Sequence, residues 1–155
     1  MGLHPSPVTF PIAAEEALAG CFTPPEQLAA LFEAGRKYRS FKYWNRVKVG
    51  SSESHITGQG FNAVKFDPRK PARTIRRNDG NLGTHGAMHW SECRCFSLPE
   101  FKRFGSFPDE FTFAGEFEEG IRQIGNCVPP LFMRAIAVHI RATILTAIVA
   151  SQPAA

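Results

Sequence analysis

The sequence predicts an α+β fold with a few short strands, irregular loops, flanking helices and one long C-terminal helix of about 20 residues. Three observations support this prediction. Helix-forming residues fill the N-terminal part, short β-prone runs between turn residues fill the middle, and a strongly apolar stretch follows Pro129 and Pro130. The 155 residues are 43% hydrophobic and 21% charged, which is typical of one globular body with its own core.

Three helices are predicted before residue 50. Residues 12–20 contain helix formers and end at a glycine, so a short helix is expected there. Thr23-Pro24-Pro25 opens a second helix, because proline is favoured in the first turn, and this helix is expected to end at Gly35. In residues 36–49 aromatic side chains alternate with cations, which predicts a helix whose apolar stripe packs inward while Lys and Arg face solvent.

The middle of the chain predicts strands and loops. Residues 61–65 and 73–76 have the composition of short strands and are separated by a turn at Asp67-Pro68. The run NDGNLGTHG, residues 78–86, predicts an irregular loop.

Two further helices are expected towards the C-terminus. Ser97 and Glu100 have the spacing of a capping box, so a short helix is predicted to begin there. The double proline predicts the start of the last helix, since the missing N–H groups have no partner in a first turn. Its apolar side chains form two rows: Phe132, Ile136, Ile140 and Ile144, and Leu131, Ala135, Val138, Ala142 and Leu145. A helix with two apolar rows needs neighbours on more than one side.

The positive charge is concentrated in one segment. Residues 36–77 contain twelve basic and two acidic residues, whereas residues 1–35 contain four acidic residues and no Lys or Arg. This asymmetry is the expected footprint of a surface that meets polyanions, and a solvated basic face is the alternative.

The N-terminal sequence and the cysteines predict a cytoplasmic protein. The first residues have no basic n-region, and prolines interrupt every apolar stretch, so no secretory signal is indicated. The uncharged stretch after Arg141 contains Ser151, Gln152 and Pro153 and is shorter than the roughly 20 apolar residues of a bilayer span, so no membrane association is expected. Four unevenly spaced cysteines are expected to be reduced.

Several motifs together are more specific than composition. Arg94, the pair Phe96-Ser97, Glu100 and the turn Phe107-Pro108-Asp109 are followed by RQIGNCVPP at residues 122–130. This series resembles the last two sequence motifs of the DNA (cytosine-5)-methyltransferases, with Cys127 at the variable place of the closing motif. The upstream run PARTI, residues 71–75, is similar to the Pro-x-x-Thr-Ile/Leu element of their target-recognition region. The resemblance covers residues 60–141 clearly and residues 8–59 loosely.

The resemblance implies an organisation in three parts. Residues 1–59 would be a helical lead-in, residues 60–120 a small irregular β-sheet target-recognition domain, and residues 121–155 the closing motif and a C-terminal helix. That helix would pack on a Rossmann-like catalytic domain that these 155 residues do not contain. Gly125 and Asn126 would form the turn before it, with Asn126 and Val128 at the S-adenosylmethionine pocket.

The resemblance also implies that the catalytic residues come from another domain or subunit, because the family's catalytic motifs are missing from this sequence. Methylation of C5 of a flipped cytosine needs a thiolate, an acid at N3 and a methyl donor. No cysteine follows a proline, no Glu-Asn pair occurs, and the Gly58-Gln59-Gly60 run precedes a predicted strand rather than a helix. Cys127 is interpreted as a small packing residue. No catalytic residue is assigned, the chain alone is predicted to be inactive, and its expected partners are double-stranded DNA and a catalytic methyltransferase domain or subunit.

The predicted DNA contacts follow from side-chain chemistry and from the resemblance. Arg and Asn provide bidentate donors, and a glycine-rich loop can approach a groove closely. Candidates for base or phosphate contacts are Arg73, Arg76, Arg77, Asn78 and His85. Candidates for phosphate contacts are Lys65, Arg69 and Lys70. Thr74 matches a family position beside the vacated base, and Arg94, Glu100 and Gly125 are expected to organise the structure.

Three alternatives stay open. His85, His89, Cys93 and Cys95 form a possible zinc site, although structural zinc sites usually have two residues between paired cysteines, and no metal is predicted. The chain could also be a non-catalytic DNA-binding module, or a truncated remnant with an uncovered C-terminal helix.

Overall fold

A computed structural model describes residues 11–38, 41–58, 63–81 and 86–146. Within these residues the chain forms helices and two short strands, so the predicted mixture of helices and a small sheet is confirmed. The elements in chain order are α1 Ala14–Ala17, α2 Pro25–Lys37, α3 Ser54–Thr57, β1 Ala63–Lys65, β2 Gly86–Met88, α4 Leu98–Phe104, α5 Phe117–Asn126 and α6 Pro130–Ile140, followed by a π-helical turn Arg141–Leu145.

The sheet consists of β1 and β2, which pair in parallel with Ala63 opposite Gly86. Single bridges extend it on both sides, from Ser52 to Val64 and from Met88 to Cys95. All three β2 residues are buried, as expected for a strand covered on both faces. The prediction for residues 61–65 is confirmed at the described positions 63–65, whereas β2 was not predicted.

The predicted strand at residues 73–76 is wrong. This segment belongs to the connection between β1 and β2 and has no strand partner among the described residues. Parallel strands need a long crossover connection, and here its described part is irregular. Residues 73–76 are therefore part of a loop.

The core is built around Phe96, a fully buried residue directly before α4. Its ring lies 4.8 Å from Phe66, 5.0 Å from Phe104 and 6.0 Å from Phe101, measured between ring centroids. Edge-to-face pairs of this kind add about 1 kcal/mol each beyond the burial of their area. The aromatic cluster joins the loop after β1 to helix α4.

Helix α4 begins with the predicted capping box. The Ser97 hydroxyl accepts from the Glu100 backbone N–H, and the Glu100 carboxylate accepts from the Ser97 N–H at 2.6 Å. Both bonds satisfy donors that an isolated helix end would leave without partners. The helix ends before Gly105, as the sequence indicates.

The predictions for the N-terminal helices need correction. α1 has four residues rather than nine, and α2 continues through Gly35 to Lys37. Gly35 allows close packing instead of ending the helix, since a Cβ there would lie 2.1 Å from the Cys93 carbonyl oxygen. Residues 41–50 form mostly turns, so the helix predicted over residues 36–49 is wrong at residue 38 and at residues 41–49, the described positions beyond Lys37.

The closing motif also differs in one respect from the prediction. Gly125 and Asn126 are the last residues of α5 rather than a turn, and the change of direction comes at residues 127–129. The predicted start of the last helix is confirmed, because Pro130 is its first residue.

No residue of α6 or of its π-helical turn is buried. Leu131, Phe132 and Val138 are each more than half exposed, at 58%, 57% and 59%. The two predicted apolar rows are therefore largely uncovered among the described residues, with only Ala135 and Ile136 partly buried.

The segment Phe117–Leu145 is long and apolar enough to cross a membrane by length and composition, with a mean hydropathy of 1.3 in its most apolar window. It is not one continuous helix, because residues 127–129 interrupt it, and Arg134 and Arg141 lie in its second half. The expectation that the chain does not associate with membranes stays a prediction.

Candidate DNA interface

The loop after β1 carries most of the predicted DNA-binding residues, and helices on two sides hold it. In the first turn of α1, the Ala14 N–H donates to the Lys70 carbonyl at 2.8 Å and the Glu15 N–H donates to the Pro68 carbonyl at 3.0 Å. These bonds use helix N–H groups that have no partner within the helix. The loop therefore leaves the sheet in a defined direction.

Helix α5 contacts the other end of this loop through glycine. A Cβ on Gly125 would lie 2.3 Å from the Arg77 nitrogen and 2.5 Å from the Arg76 carbonyl carbon. Gly80 in the loop similarly lies against Ile121 and Glu118 of α5. Only a glycine lets the helix end approach the loop backbone this closely. Gly125 thus contacts the Arg76-Arg77 backbone from the end of α5 and does not lie in a turn, and its organising role stays a prediction.

A buried carboxylate shapes the loop from inside. Asp79, 1% exposed, accepts the Arg76 backbone N–H at 2.8 Å and two Arg76 side-chain bonds at 3.0 and 2.8 Å. The Asp79 carbonyl also faces the Cys95 thiol of the core, at 3.9 Å. Bonds to a charged group are roughly twice as strong as neutral ones, so Asp79 fixes the loop conformation. The Arg76 side chain remains 39% exposed, which leaves its other N–H groups accessible.

Three predicted contacts are exposed on this ordered loop. Thr74, Arg77 and Asn78 all face solvent, and the Arg77 Nε donates to the Asn78 side-chain oxygen at 3.3 Å. Arg77 and Asn78 border a polar recess whose opposite wall is α5, with Glu119 and Arg122. Glu119 and Arg122 are paired with each other. The loop thus presents a hydroxyl, a guanidinium and an amide from a backbone that α5 and Asp79 hold.

The remaining basic candidates differ in accessibility. The Arg69 side chain is 80% exposed, and its Nε lies 3.4 Å from Asp67. Arg73 is partly buried, and burial followed by the neighbouring Arg76 charge lowers its pKa. Lys70 is exposed, whereas His85 lies outside the described residues.

Lys65 does not fit its predicted role as a phosphate contact. The residue is 7% exposed, and its ammonium lies 3.5 Å from the centroid of the Trp44 ring. The same nitrogen donates to the Trp44 carbonyl at 3.4 Å, and burial lowers its pKa. Lys65 is thus a buried cation against an aromatic ring. Its place in a predicted strand did not show whether its side chain would face solvent or the interior.

Arg94 and Glu100 form the buried centre of the scaffold next to this loop. Arg94 donates two parallel bonds to Glu100, at 2.8 and 2.9 Å, and its Nε donates to Glu92 at 2.6 Å. Burial raises the pKa of Glu100, but Arg94 outweighs this effect and the pKa lies below its ordinary value. The organising role expected of these two residues from the sequence stays a prediction.

The closing motif exposes two residues beside α6. Asn126 faces solvent at the end of α5, and Val128 is 47% exposed. Between them the Cys127 thiol donates to the Ile124 carbonyl at 3.0 Å, and burial raises its pKa, which leaves it a poor nucleophile.

The candidate zinc ligands face different surroundings. Cys95 is 1% exposed, and burial raises the pKa of its thiol to about 12. The His89 ring stacks on Trp90 at 4.4 Å, and burial, followed by the Arg94 charge, lowers its pKa to about 4. In the described part of the chain no group of three or more His, Cys, Asp or Glu side chains could hold a metal ion.

Two residues important for this geometry were missed by the sequence interpretation. Asp79 follows Arg76 by three positions, and this Arg-x-x-Asp spacing could have indicated the ion pair between them. Trp44 donates through Nε1 to the His89 carbonyl at 2.9 Å and carries Lys65 on its ring. No local pattern indicates a contact between residues 45 positions apart.

Comparison with known proteins gives a consistent result. A family model described as C-5 cytosine-specific DNA methylase matches residues 23–142. The DNA (cytosine-5-)-methyltransferase M.ApeKI of Aeropyrum pernix is 35% identical over 95 residues, which are 60% of this chain and 20% of that protein. The type II methyltransferase M.SacI of Streptomyces achromogenes is 32% identical over 135 residues, 74% of this chain and 33% of that protein.

A vertebrate protein aligns as well. DNA (cytosine-5)-methyltransferase 1 of Mus musculus is 34% identical over 121 residues, which are 77% of this chain and 7% of that protein. The chain thus spans a third or less of the length of these relatives.

Proposed function

Because the chain belongs to the C-5 cytosine-specific DNA methylase family, we propose that it is the segment of a DNA (cytosine-5)-methyltransferase that recognises DNA and completes the S-adenosylmethionine site. In this proposal the thiolate, the acid and most of the cofactor site come from a catalytic domain or subunit outside these 155 residues. The chain alone does not transfer methyl groups, and the complete enzyme acts in the cytoplasm on C5 of cytosine in duplex DNA.

The observation that carries the proposal is the apolar surface of α6. Leu131, Phe132, Val138 and Leu145 are each at least half exposed, on a helix without a single buried residue. Contiguous apolar surface of this kind usually marks a contact with another protein surface. At about 25 cal/mol per Å², covering one large apolar side chain contributes roughly 2 kcal/mol. A catalytic domain that covers this helix would place the closing motif at its edge.

The recognition role rests on the loop between the strands. Thr74, Arg77 and Asn78 are exposed on a backbone held by Asp79 and Gly125, so their donors are ordered before DNA arrives. Ordered Arg and Asn donors suit guanine and adenine edges in a major groove. Thr74 is assigned to the neighbourhood of the flipped cytosine.

The end of α5 fits one edge of an S-adenosylmethionine site. The exposed Asn126 amide offers a donor and an acceptor, and the exposed Val128 offers an apolar contact two residues later. This combination suits a ligand with both polar and apolar parts. When bound, S-adenosylmethionine supplies the methyl group. Asn126 and Val128 would bind and orient it, and no residue of the chain is assigned to the transfer itself.

Complementation tests the proposal. The chain is mixed with a separately expressed catalytic half, such as that of M.SacI, and transfer from labelled S-adenosylmethionine to duplex DNA is measured. We expect transfer by the mixture and none by the chain alone. Val138→Asp, which places a charge on the exposed face of α6, should abolish complementation without altering the circular dichroism spectrum.

Ala29→Asp provides the matched control, because it puts the same charge on an exposed position of α2. It should complement like the wild type. Transfer by the isolated chain, or equal complementation by Val138→Asp and wild type, would contradict the proposal. DNA binding without complementation by any catalytic half would instead favour the non-catalytic DNA-binding module.

A further inference from the structure

The lead-in before the recognition loop contains a dense run of cations. Residues 36–48 include six Lys or Arg and no acidic residue. Arg36, on α2, pairs with Glu33 at 2.9 Å. Lys42, Arg46 and Lys48 are exposed, and in the described ranges no carboxylate lies within ion-pair distance of them.

Buried side chains and backbone hydrogen bonds hold the segment that carries these three cations. Residues 41–48, which we name the basic platform, form consecutive turns with Phe41 and Val47 buried at 2% and 3% exposure. The Trp44 N–H donates to the Phe41 carbonyl at 2.9 Å, and the Val47 N–H donates to the Tyr43 carbonyl at 3.0 Å. With the bond from the Arg46 N–H to the Tyr43 carbonyl at 2.8 Å, three internal bonds and the buried Phe41 and Val47 make the platform a rigid part of the fold rather than a free linker.

Trp44 ties the platform to the sheet. Its Nε1 donates to the His89 carbonyl just after β2, and the Lys65 ammonium of β1 lies against its ring. The aromatic residues Phe41 and Trp44 are thereby used within the fold, and the cations point away from it.

Contacts with Tyr43 limit the distance between two of the outward cations. The Lys42 ammonium and the Arg46 guanidinium each lie 5.7 Å from the centroid of its ring. They are therefore separated by no more than about 11 Å, a length of helix axis that carries about three phosphates of one DNA strand at 3.4 Å each.

We propose that the basic platform is a sequence-independent contact surface for the phosphodiester backbone of duplex DNA, separate from the recognition loop. This inference rests on the proposed function, since it names a second part of the same DNA interface. Lys42 and Arg46 hold neighbouring phosphates, and the interactions of Trp44 with Lys65 and His89 keep the platform in place.

The observations favour DNA over an anionic membrane. Peripheral membrane binding needs an apolar face that inserts beside the basic residues. On the platform the large apolar side chains Phe41 and Val47 are buried, and Trp44 is engaged by Lys65 and His89. A rigid surface with exposed cations, whose Phe41 and Val47 are buried and whose Trp44 is engaged within the fold, suits contacts to phosphate.

The test is the salt dependence of DNA binding by the full chain. Fluorescence anisotropy with two duplexes of unrelated sequence compares the wild type with the double variant Lys42→Gln/Arg46→Gln. Each lost phosphate contact lowers the slope of log K against log salt by about 0.9, so the expected decrease is about 1.8 for both duplexes. Between about 50 and 200 mM salt, the wild type should then lose roughly tenfold more affinity than the variant.

Two controls separate this effect from folding and net charge. Both substituted side chains are exposed, so the circular dichroism spectrum and the urea midpoint should not change. Arg36→Gln removes a cation of the same run that is already paired with Glu33, and it should leave the slope unchanged.

The outcomes distinguish this inference from the proposed function. If the catalytic half restores methyl transfer but the double variant keeps the wild-type slope, the platform is not a phosphate contact, and the proposed function stands. An equal decrease with Arg36→Gln would reduce the effect to net charge and overturn the inference. The inference would also be overturned if the double variant lost binding to vesicles of phosphatidylserine and phosphatidylcholine while its DNA binding was unchanged. Absence of DNA binding by the wild type at low salt, together with absence of complementation, would overturn both.

Discussion

Gly125→Ala should destabilise the chain, because it separates α5 from the recognition loop. The new Cβ would lie 2.3 Å from the Arg77 nitrogen and 2.6 Å from the Arg77 Cα, whereas ordinary contacts begin at 3.4 Å. The helix end and the loop must therefore move apart by about 1 Å. Because the contacted atoms are backbone, no rotamer change relieves the overlap.

The expected magnitude follows from two opposing contributions. Overpacking of a tight contact costs about 1–3 kcal/mol, and backbone contacts belong at the upper end of that range. Replacing a helical glycine by alanine stabilises the helix by about 1 kcal/mol. The net loss in the free energy of unfolding should be about 2 kcal/mol, measured by urea denaturation of the full chain with circular dichroism detection.

Gly120→Ala in the same helix is the matched control. Its Cβ would meet the Leu98 side chain at 2.7 Å, and a leucine side chain can move. We expect a change in unfolding free energy near zero, because a small packing cost is offset by the same gain in helix propensity. The reasoning is refuted if Gly125→Ala is as stable as the wild type, or if both alanine variants lose the same amount.

Glu100→Gln should cost about 3 kcal/mol at neutral pH, since it removes the buried carboxylate that accepts two bonds from Arg94 and leaves Arg94 only the more exposed Glu92 as an ion-pair partner. The pKa of Glu100 is lower in the fold than its ordinary value of 4.5, so its ionised form stabilises the fold at pH values above 4.5. This stability is lost as the pH falls through the lowered pKa of the folded protein. In urea denaturation, the free energy of unfolding of the variant should therefore decrease less at acid pH than that of the wild type. His89, with a pKa lowered to about 4, stays neutral in the fold while the unfolded chain takes up a proton below about 6.5. Stability should therefore fall by about 3 kcal/mol between these two pH values, and a His89→Gln variant that shows the same decrease would exclude His89 as its source. The Cys95 thiol, with a pKa of about 12, should resist iodoacetamide in the native protein and react after denaturation, and mass spectrometry that finds Cys95 modified without denaturant would contradict its burial.

Features that depend on neighbouring residues were predicted from the sequence. The capping box of α4 needs only Ser97 and Glu100 three positions apart, and both of its bonds are present. The start of α6 at Pro130 depends on the missing N–H of proline, which a first helical turn tolerates. The motif series also indicated the family, because its spacing is a property of the chain itself.

Features that depend on distant contacts were predicted wrongly or not at all. Gly35 was expected to end α2, but its lack of a side chain allows contact with the Cys93 carbonyl, 58 positions away. Residues 73–76 have strand composition, yet no neighbouring strand offers hydrogen bonds to them among the described residues. Lys65 was expected on the surface because its charge favours water, and the Trp44 ring accepts it in the interior instead.

For the candidate DNA interface, the sequence alone determined which donors are available and that the apolar rows of α6 would need a partner. Composition and periodicity are sufficient for these conclusions, because they depend on side-chain chemistry and helix geometry. Only the tertiary structure decided which donors are accessible: it uses Lys65 within the fold, engages part of Arg76 with Asp79, and leaves Arg77 and Asn78 exposed. The physical reason is that accessibility is set by what packs against each residue, and those neighbours come from remote parts of the chain.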